Sequence, residues 1–152
     1  MTTLTRHEAR QCAVQALYQI DLSGSTAIDA IAFALEDKSV SDSDLAYIRT
    51  LVEGTRAQLV DIDERLSQVM ERWSTERVGR VELNVLRLAV YELMFDRSIP
   101  SATILDEAVR LAKGFATDTS GKFVNGVLAK VLPTVRSAQE RDSETGGKSA
   151  ES

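Results

Sequence analysis

The chain has 152 residues, 43% hydrophobic and 27% charged, a mixture suited to one globular domain or two small bundles sharing a core. A chain of this length buries about 70% of its unfolded surface and needs no staple. Its 18 basic and 23 acidic residues leave a net charge of -5, which excludes a generally basic nucleic-acid coat but not a local basic patch.

No segment keeps a period of two, so the whole chain reads as helical. The first helix is predicted to start at Thr5, because Thr5-Arg6-His7-Glu8 matches a capping box. Ala9, Cys12, Ala13, Ala16, Leu17 and Ile20 then recur at helical spacing up to Gly24. A second helix carries Ile28, Ile31, Ala32 and Leu35. Glu36 to Ser43 reads as a loop, with Ser41 or Ser43 placed to cap the next helix. Leu45, Ile48, Val52, Leu59, Ile62, Leu66 and Val69 form one long pattern to about Met70, with a bend expected near Gly54. A short connection around Trp73 follows, with Ser74 or Thr75 as a cap. Val81 to Phe95 is apolar at 11 of 15 positions, which predicts the central helix. Pro100 suits the first turn of the next helix, whose stripe is Ile104, Ala108, Leu111 and Phe115. Thr117-Asp118-Thr119 is a cap-rich break. The last helix carries Phe123, Val124, Val127, Leu128, Val131 and Leu132 and is expected to fade after Pro133. Residues 137–152 contain no large apolar side chain and are expected to form a disordered polar tail.

Enzyme chemistry finds little to build on. There is no phosphate-binding Gly-rich loop, no nucleophile elbow and no His-Glu-x-x-His. One Cys and one His make neither a disulfide nor a zinc site. Cys12 reads as a small buried apolar residue and His7 as solvent-exposed. Glu53, Asp61, Asp63 and Glu64 read as a solvated face. No apolar run reaches the ~18 residues a membrane span needs. The polar N-terminus lacks the apolar core of a signal peptide, so a cytoplasmic protein is the simple expectation.

Charge is unevenly spread. Residues 25–71 hold four bases and ten acids, whereas residues 100–136 hold five bases and three acids. Arg6 and Arg10 are one helical turn apart. They are either two solvated arginines or a small phosphate clamp.

Three segments carry a family resemblance. They are Arg6-His7-Glu8-Ala9-Arg10-Gln11-Cys12-Ala13-Val14-Gln15-Ala16-Leu17-Tyr18-Gln19, then Val81-Glu82-Leu83-Asn84-Val85-Leu86-Arg87-Leu88-Ala89-Val90-Tyr91-Glu92-Leu93, then Ile104-Leu105-Asp106-Glu107-Ala108-Val109-Arg110-Leu111-Ala112-Lys113 with Lys122-Phe123-Val124-Asn125-Gly126-Val127-Leu128. In this order the chain resembles the NusB family of transcription antitermination factors over roughly residues 5–135. The resemblance implies an all-α fold of two packed three-helix-type bundles, about seven helices in all. Their expected extents are 5–71 and 72–136, within a single domain spanning 1–136. It implies no catalysis and no cofactor. It implies binding to the boxA RNA of ribosomal RNA leaders together with NusE, a small-subunit ribosomal protein, and action on the elongating RNA polymerase with other Nus factors.

Carried over by position, the RNA side comprises Arg6 and Arg10 and then the turn before the last helix, with Thr119, Ser120, Lys122 and Phe123. Free amides at a helix start attract phosphate, and arginine and aromatic planes stack bases. The alternative for Phe123 is core packing, and Asp118 there opposes phosphate or caps the helix. The partner side comprises Tyr18 and Glu82, a ring and an acid suited to a basic ribosomal protein. Their alternatives are a half-buried surface ring and a plain solvated carboxylate. Two other readings compete: a non-catalytic NusB-like domain of a ribosomal RNA cytosine methyltransferase, and a helical adaptor that forms a homodimer.

Overall fold

The computed structural model describes residues 3–70 and 78–151, with side chains to Glu144. It is all-helical. The helices are α1 (Arg6–Ser23), α2 (Ala27–Ala34), α3 (Asp42–Ala57), α4 (Leu59–Val69), α5 (Arg80–Phe95), α6 (Ser101–Phe115), α7 (Asp118–Val135) and α8 (Ala138–Glu151). The connection at Trp73 and the cap at Ser74 or Thr75 lie outside the described residues.

Caps set most boundaries. Thr5 Oγ1 accepts the Glu8 amide at 3.0 Å and Glu8 Oε1 accepts the Thr5 amide at 2.9 Å, closing the expected capping box. Gly24 ends α1 in the left-handed conformation, at φ 70°. Thr26 and Ser41 cap α2 and α3 through their hydroxyls. Pro100 stands at the start of α6, where its missing N–H costs nothing.

Helix α5 is the hub. Every residue from Leu83 to Val90 is buried, and α1, α3, α4, α6 and α7 all pack on it. The apolar stripes of α1, α6 and α7 close the core through Leu17, Ile104, Leu111, Val124 and Leu128. Such near-complete burial makes α5 apolar around most of its circumference.

Three expectations differ from the structure. The long pattern after Leu45 is two helices, not one bent helix, and the break falls at Gln58. Gly54 is where Tyr91 of α5 crosses α3, and a Cβ there would collide with the ring. Helix α4 then turns away to pack on α5 and α7. Arg87 binds Asp63 of α4 through two bonds of 2.9 Å, so Asp63 is an ion-pair partner and not part of a solvated face. Second, α7 runs through Pro133 to Val135. A proline this close to the end removes one amide donor, and Ala129, four residues before it, is an exposed residue.

Third, the segment expected to be a disordered tail forms α8. Ser137 and Glu140 make a second capping box, with the Glu140 amide on Ser137 Oγ at 3.1 Å and the Ser137 amide on Glu140 Oε1 at 3.0 Å. Glu140 also pairs with Arg97 at 2.8 Å and Glu144 with Arg136 at 2.7 Å. Polar anchors here replace the apolar face that the composition lacks. No helix among the described residues is long and apolar enough to cross a membrane.

Candidate nucleic-acid interface

The first turn of α1 separates its two arginines. Arg6 is exposed and its guanidinium lies over the Tyr47 ring, 3.8 Å from the centroid. Arg10 is buried at 4% exposure. Its Nε and Nη2 donate to the two carboxylate oxygens of Glu92 at 3.0 and 2.9 Å. Burial opposes the Arg10 charge, but the hydrogen bonds and field of Glu92 outweigh it and hold the guanidinium above its ordinary value. Arg10 is therefore not a surface clamp; it ties α1 to α5. His7 is not free in solvent either, because its Nδ1 lies 2.7 Å from Glu107 Oε2 of α6. Cys12 is buried at 1%, as expected, and burial pushes its thiol up.

The turn before α7 keeps most of its expected groups at the surface. Thr117 is the cap, accepting the Ser120 amide at 3.1 Å, so Asp118 stands one position inside the helix. Ser120 spends its hydroxyl on Thr117 Oγ1 at 3.1 Å. Thr119 and Lys122 are exposed. The Phe123 ring is 39% exposed, so it is not a core side chain.

Two exposed cations missing from the sequence reading lie between these regions. Glu107 contacts His7 on one side and accepts from Arg110 Nη1 at 3.0 Å on the other. One turn further along α6, the Lys113 stem lies over buried Gly121 of α7, where a Cβ would stand 2.8 Å from Lys113 Cγ. Helices α1 and α6 run side by side in the same direction, since His7 meets Glu107 and Val14 and Tyr18 share a depression with Phe115. Arg6, Arg110, Lys113 and the first turn of α7 thus follow one another along the surface, over roughly 15 Å from Glu107 to α7. The available signal was Arg110 and Lys113 at i,i+3 on the polar side of α6.

Tyr18 and Glu82 sit in two depressions on either side of the first turn of α5. Tyr18 is half-buried and lines a cavity of about 510 Å³ with Phe33, Val81 and Phe115. Glu82, also half-buried, lines a shallower one of about 280 Å³ with Thr119, Ser120 and Phe123. The residues read as a partner face and those read as an RNA face therefore meet at one seam.

The model of the NusB family matches residues 7–133. A transcription antitermination protein NusB of Proteus mirabilis is 40% identical over 136 residues, covering 90% of this chain and 98% of its own. The chain belongs to the NusB family. A NusB antitermination protein of Desulfitobacterium hafniense is 35% identical, covering 93% of this chain and 97% of its own. A T. maritima NusB structure superposes with a TM-score of 0.81 at 31% identity, covering 91% and 98% of the two chains. A crystal structure of antitermination factors NusB and NusE in complex with double-stranded RNA gives 0.78 at 32%, covering 85% and 96%. The NusB match ends before Arg136 and α8, so the docked C-terminal helix lies outside the matched segment.

Proposed function

We propose that this chain is a non-catalytic RNA-binding antitermination factor. It binds boxA RNA of ribosomal RNA leaders together with NusE and acts on elongating RNA polymerase in the cytoplasm. The observation that carries this reading is the run of exposed cations from Arg6 through Arg110 and Lys113 to Lys122, ending beside the exposed Phe123 ring and the open amides of α7. Cations hold phosphates and the ring stacks a base. Thr119 lends a hydroxyl at the same end. Ser120 and Arg10 act behind the surface, the first by bonding the Thr117 cap of α7 and the second by holding α1 on α5. Tyr18 and Glu82 form the NusE side. An RNA edge and a protein partner meeting at one seam explain why the two ligands would bind as a pair. The antitermination names of the relatives favour this reading over a methyltransferase domain.

The test is a titration of boxA RNA with and without NusE at several salt concentrations. Affinity is expected to fall with salt and to rise when NusE is added. RNA binding that ignores both salt and NusE overturns the proposal.

A further inference from the structure

Arg136 follows α7 and is 1% exposed. Its Nε donates to the Leu93 carbonyl at 3.1 Å and its Nη2 to the Asp96 carbonyl at 2.9 Å. Nη1 faces the Ile99 carbonyl at 2.7 Å, Ser101 Oγ at 3.1 Å and Glu144 Oε1 at 2.7 Å. Carbonyl dipoles satisfy the donors but leave the charge, and a buried charge without a counter-ion is costly. Among the described residues the one carboxylate paired with Arg136 is Glu144.

The same carboxylate makes a second set of contacts. Glu144 Oε2 accepts the Ser101 amide at 3.2 Å and Oε1 accepts the Ser101 hydroxyl at 3.1 Å. Ser101 is the first residue of α6, and Pro100 before it has no side-chain cap to offer. A buried guanidinium, a hydroxyl and a helix-start amide thus converge on one anion. The group that fills this cradle comes from a helix with almost no apolar surface. A second tie, Arg97 to Glu140, is exposed on both sides. Charge holds α8 in place, and charge contacts are what salt and competing anions weaken.

We propose that Arg136, Ser101 and the amino end of α6 form a carboxylate-binding site whose resident ligand is Glu144, so that α8 is a releasable latch on the α5–α6 corner. The latch reaches further than the corner. The Leu93 and Asp96 carbonyls held by Arg136 belong to the end of α5, next to Glu92, which holds Arg10 of α1.

The test compares hydrogen exchange in the full chain with that of Glu144→Ala and Arg97→Ala. Glu144→Ala is expected to lose about tenfold of the protection at residues 138–144 and at the first amides of α6. The circular dichroism of α1–α7 should persist, and Arg97→Ala should change the α6 amides little. Sodium acetate should restore protection at the start of α6 in Glu144→Ala, but not in residues 138–144, while sodium chloride at equal ionic strength should not. Unchanged exchange in Glu144→Ala overturns the latch. Equal effects of acetate and chloride overturn the carboxylate site.

Discussion

Arg6 and Arg10 are one turn apart on the same helix, and burial gives them opposite work. Arg6 keeps its charge at the surface with its plane on Tyr47; Arg10 spends its charge on Glu92. Arg10→Ala should therefore destabilise the fold by about 3–5 kcal/mol, because it leaves Glu92 buried and unpaired. Arg6→Ala should cost less than about 1 kcal/mol of stability but weaken boxA RNA. Urea melts and RNA titrations of both variants check the split, and equal melts would refute it. Glu8 titrates inside the capping box that starts α1. The Thr5 amide, then the Thr5 hydroxyl, lower its carboxyl below the ordinary value of 4.5. A carboxylate lowered in the folded state contributes stability above its unfolded value, and this is lost as pH falls through the folded one. The Thr5 amide resonance should titrate with a midpoint below 4.5, and a midpoint at or above it would contradict the box.

At the scale of elements, caps were legible and tertiary breaks were not. The capping box at Thr5 and the cap at Ser41 are local patterns of a few residues, which is why sequence finds them. Thr117 is another such cap, and it orients the amides beside Lys122. Thr117→Ala should cost about 1 kcal/mol and lower RNA affinity more than it lowers helical content, measured by thermal melts beside binding curves. The Gln58 break is different in kind. The apolar pattern continues through it, and the break shows only in the packing, where Tyr91 lies against Gly54 of α3 and α4 packs on α5 and α7. Gly54→Leu should cost about 1–3 kcal/mol through overpacking, read from the same melts. The capping box at Ser137 was present in the sequence too, but composition outweighed it there.

At the scale of the whole molecule, charge placement matters more than its sum. The acids concentrate between residues 25 and 71, where Asp63 is spent on Arg87, and α6 and α7 keep exposed bases of their own, so a chain of net charge -5 still presents a run of cations. For boxA RNA bound as a single strand, four such cations predict a salt slope of about -2.8, and removing Arg110 or Lys113 should flatten it by about 0.7 each. A slope unchanged in Lys113→Ala would remove that residue from the interface. Glu82→Lys should weaken NusE more than RNA, by calorimetry, because it reverses the charge offered to a basic partner while adding a cation beside Phe123.

The sequence by itself determined the helical class, the capping box at Thr5 and the cap at Ser41, the apolar hub at α5 and the family, because each is written in local periodicity or in a run of residues. Tertiary structure decided which charges remain for a ligand. Arg10, His7 and Asp63 look like surface groups in a linear reading, and packing gives each a carboxylate or guanidinium partner from a distant helix. Arg110 and Lys113 look like ordinary helix-surface bases, and the side-by-side course of α1 and α6 sets them between Arg6 and α7. Burial and pairing depend on what the fold brings within a few ångströms, and that distance is not written in the spacing of residues along the chain.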